Sequence, residues 1–222
     1  MLTSPRAVII ANGEIHNPAA IRAVVRADDH IIAADGGANH CRALGLTPRA
    51  LVGDLDSVTP TELAALEAIG TQVIKYPARK DQTDLELAFD YAITQGATEI
   101  IIIGALGGRW DQTLANVHLL ALPRLNSARI RLIDGAQQIS LLRGPGSIAI
   151  TGAPGDIVSL IPISGDAHGV TTSGLEYPLE NGTITFGSTL GISNVLTARE
   201  ATVALSEGLL VCVLISSTDS AD

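Results

Sequence analysis

Aromatic residues are scarce in this chain: one Trp, three Tyr and two Phe among 222 residues. Small and β-branched aliphatic side chains must therefore supply most of the packing. Cysteine is scarcer still. Cys41 and Cys212 stand far apart, with no C-x-x-C pair or Cys/His cluster, which argues against a disulfide framework or a structural zinc site and suits a reducing compartment. Long apolar runs are missing as well. Residues 7–11 are too few for a signal-peptide core and 208–215 too few to cross a bilayer, so the expectation is a cytoplasmic protein with no membrane partner. Basic residues are outnumbered 14 to 23, for a net charge of −9, which speaks against a partner with a phosphate backbone and hence against nucleic acid. Also lacking are a G-x-S-x-G elbow, an H-E-x-x-H pair, a Walker P-loop, and a G-x-G-x-x-G leading from a strand into a helix.

What remains is 46% hydrophobic residues arranged in two textures. Up to residue 134, short β-branched runs (7–11, 30–34, 50–52, 71–75, 99–103 and 129–133) alternate with helix-period segments, the pattern of a largely parallel sheet covered by helices. Helix signals are complete at 58–70: Thr59 as N-cap, Pro60 at the first helical position, Glu62 closing a capping box and Gly70 past the end. A second helix is expected over 81–95, with Leu85, Ala88, Phe89, Ala92 and Ile93 on one face. From residue 135, Gly and Pro punctuate short strand-like runs at 147–151, 156–163, 183–186, 200–204 and 209–215, as in an antiparallel sandwich or barrel. The charge pattern changes at the same place, since 12 of the 14 basic residues precede residue 135. The expected organisation is an α/β domain over 1–134 and a smaller, all-β, sandwich-like domain over 135–222.

In a parallel α/β sheet, ligands collect at the loops leaving the carboxyl ends of the strands. The second strand is followed by Asp35-Gly36-Gly37-Ala38-Asn39, a glycine pair opening a helix where backbone N–H groups suit a phosphate, or else a plain turn. Asp54 and Asp56 follow the third strand, two carboxylates that fit Mg²⁺ or an Asx-turn. After the fourth comes Lys80-Asp81-Gln82-Thr83-Asp84, where Asp81 and Asp84 are expected to share the first turn of a helix and Lys80 to act as a phosphate clamp beside a metal. The fifth is followed by Gly104-Ala105-Leu106-Gly107-Gly108-Arg109-Trp110-Asp111-Gln112, with Arg109 a candidate phosphate ligand and Trp110 reading as a packing residue. His16, His40, His118 and His168 read as structural or surface groups. Four such loops in succession point to a magnesium nucleotide site at one edge of the sheet.

These segments, with Ala115-Asn116, Thr172 to Leu179 and Gly191-Ile192-Ser193-Asn194, resemble the thiamine pyrophosphokinase family over nearly the whole chain. Trp110 stands where that family often has Phe. The resemblance implies a diphosphoryl transfer from ATP to thiamine, giving thiamine diphosphate and AMP, in a homodimer with active sites at the subunit interface. It implies Mg²⁺ held by Asp54, Asp56 and Asp81, with Asp84 a further ligand or supporting group. Lys80 and Arg109 would balance charge on the transferred group, and Asp111 would orient the thiamine hydroxyl or accept its proton. Asp35, Gly36, Gly37, Asn39, Gly107 and Gly108 would bind nucleotide; Gln82, Thr83, Gln112, Tyr177, Ser193 and Asn194 would contact substrate. The alternatives are the same site serving another acceptor, such as a pterin-like alcohol, a Mg²⁺-dependent nucleotide hydrolase, and a nucleotide-binding module without turnover.

Overall fold

The computed structural model describes residues 5–217. The chain divides into two compact units, Met1–Gly135 and Ala136–Asp222. Unit one contains strands β1 (Arg6–Ile10), β2 (His30–Ala34), β3 (Ala50–Gly53), β4 (Gln72–Lys75), β5 (Glu99–Ile103) and β6 (Arg129–Asp134). They hydrogen-bond in the order β6-β5-β1-β2-β3-β4, every pair parallel. The central strands β1 and β5 are covered on both faces, which is why each reads as an unbroken apolar run rather than an alternation. In register, Ile9 faces Ile32 on one side and Ile102 on the other, all three fully buried.

The helices are α1 (Pro18–Val24), α2 (Gly37–Leu44), α3 (Pro60–Ala68), α4 (Asp84–Thr94) and α5 (Trp110–Leu119). The capping box of α3 forms as expected: the Glu62 N–H donates to Thr59 Oγ1 at 3.3 Å, and the Thr59 N–H donates to the Glu62 carboxylate at 3.1 Å. Two features depart from expectation. Helix α1 is absent from the sequence reading, although Asn17 caps it by accepting from the Ala20 N–H and Pro18 opens it. Helix α4 begins at Asp84 rather than at 81, because Thr83 takes the N-cap and accepts from the Glu86 N–H at 3.2 Å. Asp81 therefore precedes the helix and does not share its first turn with Asp84.

Unit two holds two antiparallel arrays. One runs β12-β9-β14-β7, from Asn194–Val195, Ile157–Pro162, Leu209–Ile215 and Gln137–Arg143. The other runs β11-β10-β13-β8, from Gly182–Ile184, Ala167–Ser173, Glu200–Leu205 and Gly146–Thr151. Leu142, Val158, Leu210 and Cys212 of the first array share one core with Ile150, Val170, Ile184 and Val203 of the second. Strands β7, β10 and the two-residue β12 are not among the expected runs. Gln137, Gln138 and Arg143 dilute the apolar signal of β7, and β10 is broken by an irregularity between His168 and Val170 where Gly169 adopts φ +66°.

Candidate active site

The chain lays β2, β3 and β4 outwards from β1, then returns to place β5 on the other side of β1. Loops after β1 and β5 thus leave in opposite directions, and a crevice opens between them at the strands' carboxyl ends. It has a volume of about 770 Å³, with Asn12, Glu14, Asp35, Lys80, Gly107 and Asn116 among the residues around it. Close backbone packing shapes its floor. A Cβ at Gly37 would lie 1.9 Å from the Ile10 carbonyl oxygen, and one at Gly13 would lie 2.5 Å from that of Gly104. Only glycine permits these approaches.

Asp35, Asp54 and Asp84, from the loops after β2, β3 and β4, present carboxylate oxygens that all lie within 4.8 Å of one another. Local backbone geometry sets this convergence. Asp35 has φ +43° and Leu55 has φ +67°, the left-handed region that L residues seldom occupy, while Asp84 is held at the first position of α4. Lys80 bridges two of the acids, with Nζ 3.3 Å from Asp54 Oδ2 and 2.9 Å from Asp84 Oδ1. Asp35 is 8% exposed, and its Oδ1 is buried with no hydrogen-bond partner among the described residues. It does not cap α2, whose N-cap is Gly36.

Three carboxylates and one ammonium leave two net negative charges in one small volume. The backbone N–H of Asp56 does most to hold the Asp54 carboxyl below the usual range; burial opposes it, and the hydrogen bond and charge of Lys80 add to the lowering. Burial works against the charge of Lys80, but the hydrogen bonds and charges of Asp84 and Asp54 prevail and raise its pKa. An all-oxygen donor set with an unsatisfied, buried carboxylate oxygen fits a hard divalent cation such as Mg²⁺.

This set differs from the Asp54, Asp56 and Asp81 that the resemblance implied. Asp56 and Asp81 are exposed and lie outside the converging group; the Ser57 hydroxyl donates to Asp56. Gln82 and Thr83 border the crevice, but Gln82 Nε2 donates to Asp90 Oδ2 at 2.9 Å and Thr83 is spent as a cap. Asn39 Nδ2 reaches the Ser57 carbonyl and Gly36 packs on the Asn12 side chain. Gly107 and Gly108 turn with φ +84° and +65°. Arg109 and Asp111 pair with each other on the surface, which holds the Asp111 carboxyl low. Gln112 faces the crevice one turn before Asn116. Trp110, expected to pack, is 79% exposed.

In unit two, the Ser193 N–H donates to Ser159 Oγ at 3.1 Å, with Ser193 itself at φ +59°. The Asn194 amide grips the backbone of Tyr177: Oδ1 accepts from its N–H at 3.0 Å, and Nδ2 donates to its carbonyl at 2.7 Å. Asn194 thus presents Tyr177, whose side chain is exposed.

The loop after β1 also lines the crevice, beyond the four loops expected to do so. Asn12, Gly13 and Glu14 belong to the crevice, and the rule that singled out the other four loops applies equally there. His40, whose expected role is structural or on the surface, donates from Nε2 to the Gly13 carbonyl at 2.8 Å and ties α2 to that loop. On the rim, His16 stands between Asp134 (Nδ1 to Oδ1, 3.1 Å) and Glu14 (Nε2 to Oε2, 3.2 Å). The Asp134 hydrogen bond and charge, with Glu14 adding, raise its pKa above the ordinary 6.5. A raised imidazole pKa stabilises the fold fully below the unfolded value, and that gain fades as pH rises through the folded one. His16→Gln should accordingly lower the melting temperature at about pH 5.5 and leave it unchanged at about pH 8.5. A gap of equal size at both would show that the imidazole charge contributes nothing.

Comparison with known proteins places both units. Residues 21–132 match the family described as "Thiamin pyrophosphokinase, catalytic domain", and residues 147–210 match "Thiamin pyrophosphokinase, vitamin B1 binding domain". The chain is 38% identical to the thiamine pyrophosphokinase of Bacillus subtilis (strain 168) over 195 residues, 86% of this chain and 90% of that one. It is 31% identical to thiamine pyrophosphokinase 1 of Arabidopsis thaliana over 180 residues, 77% of this chain and 67% of the relative. The crystal structure of the Bacillus subtilis protein matches with a TM-score of 0.84 at 33% identity, covering 96% of this chain and 99% of that one. Yeast thiamin pyrophosphokinase matches with a TM-score of 0.73 over 97% of this chain and 87% of that one, a likeness of fold alone at 17% identity.

Proposed function

The chain belongs to the thiamine pyrophosphokinase family, and from that premise we propose how its acidic crevice serves the family's reaction. The enzyme transfers the diphosphoryl group of ATP to the hydroxyl of thiamine, giving thiamine diphosphate and AMP. Transfer to a pterin-like alcohol and simple nucleotide hydrolysis are not favoured, since both matched domains and the curated relatives point to thiamine. The observation carrying the mechanism is the convergence of Asp35, Asp54 and Asp84 around Lys80.

Phosphoryl-type transfer asks a protein mainly for positioning and charge neutralisation. Asp35, Asp54 and Asp84 would hold Mg²⁺, with Asp56 and Asp81 on the solvent side of that group. When bound, the ion supplies charge neutralisation for the polyphosphate. Gly36 and Gly37 at the start of α2, Asn39 behind them, and the Gly107–Gly108 turn form the nucleotide seat. Lys80 and Arg109 face the charge that shifts as the thiamine oxygen bonds to the β-phosphorus and the bond to the bridging α–β oxygen breaks, with AMP leaving. The hydroxyl proton passes to Asp111. A carboxylate held low by Arg109 is adequate there, because in a loose transition state the proton is lost late. Gln82, Thr83 and Gln112 border the transfer path, and Tyr177, Ser193 and Asn194 receive the thiamine.

We further propose a homodimer in which each active site draws on both subunits. Tyr177, Phe186, Leu190 and Ile192 support this as large apolar side chains exposed on unit two. Cytoplasmic residence suits the two free, buried thiols, which burial pushes to about 12. Among the described residues, no helix is long and apolar enough to cross a membrane.

The deciding experiment incubates the protein with ATP, Mg²⁺ and thiamine and quantifies AMP and thiamine diphosphate by chromatography, with EDTA and no-thiamine controls. Equal, metal-dependent formation of both products is expected. AMP without thiamine diphosphate would sink the assignment. Shared sites are tested by co-refolding Asp54→Asn chains with Tyr177→Ala chains, each inactive alone. Random pairing should restore about a quarter of wild-type activity, and no recovery would rule sharing out.

A further inference from the structure

Asn116 lies in the middle of α5, is 7% exposed and borders the crevice. Its Nδ2 donates to the Ala105 carbonyl at 2.7 Å. A carbonyl can only accept, so this contact fixes which way round the amide sits and leaves Oδ1 as an acceptor. That Oδ1 is buried and has no hydrogen-bond partner among the described residues. A buried acceptor without a partner is costly, and such groups in native proteins are few and call for a reason. Of the other crevice acceptors, Asp84 Oδ1 already meets the Lys80 ammonium at 2.9 Å and Asp35 Oδ1 would be answered by a cation; a neutral amide oxygen is answered by an N–H.

The geometry points to Asn116 as a specificity residue that accepts a hydrogen bond from the exocyclic amino group of a substrate ring. This rests on the reaction assigned above. Adenine carries such a group at position 6 and the thiamine pyrimidine carries one at position 4′, so the same chemistry could come from either substrate. A ring with an oxo group in that place would set acceptor against acceptor, and a site built around a hydrogen bond rejects the analogue that lacks it more strongly than an apolar pocket rejects a change of size. The Ala105 contact is part of the device, because an amide free to rotate could offer its donor to an oxo ring instead.

The test is calorimetric binding, which needs no turnover: ATP against inosine triphosphate, and thiamine against oxythiamine, on wild-type protein and on Asn116→Ala. Wild type should bind one amino ligand roughly tenfold to a hundredfold more tightly than its oxo counterpart, and in the variant that ratio should fall to within about threefold of unity. Collapse of the ATP ratio assigns the contact to the nucleotide, and collapse of the thiamine ratio assigns it to the acceptor. A structural role would weaken amino and oxo ligands alike and leave both ratios standing, which would overturn the inference. Should Asn116→Ala fail to fold, the wild-type ratios decide: no preference against either oxo ligand means Oδ1 reads neither ring. Failure of the reaction assignment shows separately, as wild type that yields no thiamine diphosphate.

Discussion

Asp35→Asn should lower turnover by about three orders of magnitude and at the same time raise the melting temperature of the ligand-free enzyme. The two effects share one cause. Asp35, Asp54 and Asp84 crowd like charges within 4.8 Å, and the ammonium of Lys80 contacts Asp54 and Asp84 but not Asp35. Asp35 Oδ1 is buried with neither a hydrogen-bond partner nor an ammonium beside it among the described residues, whereas the buried Asp84 Oδ1 has Lys80 at 2.9 Å. Asparagine keeps the shape, tolerates the left-handed φ of +43° better than most residues, and removes the uncompensated charge. Relief of about 1 kcal/mol corresponds to a rise of about 2–4 °C for a chain of this size. The same substitution deletes an anionic oxygen from the group assigned to Mg²⁺, so the stabilisation of wild type by added Mg²⁺ should disappear in the variant. Stability and activity moving in opposite directions is the mark of a site assembled for function against its own stability. Turnover within about tenfold of wild type, or a melting temperature lower by more than about 5 °C, would show that Asp35 is a turn residue and not part of a cation site.

The second large effect is expected at Gly37. Helix propensity alone favours Ala over Gly inside a helix by about 1 kcal/mol, so Gly37→Ala in the first turn of α2 would stabilise if local preference ruled. Tertiary packing reverses the sign. The added Cβ would lie 1.9 Å from the Ile10 carbonyl oxygen, more than an ångström inside the closest approach that real Cβ atoms make to other atoms. The obstacle is the backbone of the central strand β1, which cannot rotate away as a side chain would. Helix α2 must lift off the sheet, at a cost of about 3 kcal/mol or more. Asp35 lies two residues upstream, so its carboxylate is dragged from Asp54 and Asp84 and activity falls with stability. Gly45→Ala supplies the contrast: that glycine ends α2 at φ +68° with open space around it, so only the left-handed penalty of about 1–2 kcal/mol applies and the site is untouched. Thermal melts and turnover of the two variants check both claims, and Gly37→Ala as stable as wild type would refute the packing argument.

Much of this was legible without coordinates. The parallel strands of unit one stood out because strands buried on both faces read as apolar runs, and α3 because its caps are local: Thr59, Pro60 and Glu62 interact within one turn. The start of α4 at Asp84 and not at Asp81 has a physical reason. Asp81 and Thr83 are both good N-caps by type, and only the folded chain shows the Thr83 hydroxyl taking the Glu86 N–H. Strand β10 escaped because Gly169 shifts its register and so breaks the alternation that a period-two search needs. Trp110 reads as a core residue by size, yet at the first position of α5 it stands in solvent.

Composition, periodicity and capping signals sufficed for a parallel α/β sheet followed by antiparallel strands and for the loops that carry acid and glycine, since each depends on residues close together in the chain. Which carboxylates meet could not come from that source. Asp35, Asp54 and Asp84 belong to three separate loops, and their convergence is set by strand register and by left-handed turns at two non-glycine residues, Asp35 and Leu55, which no local pattern announces. The orphaned oxygen of Asn116 is of the same kind: an unsatisfied acceptor exists only once the chain around it has closed and excluded water.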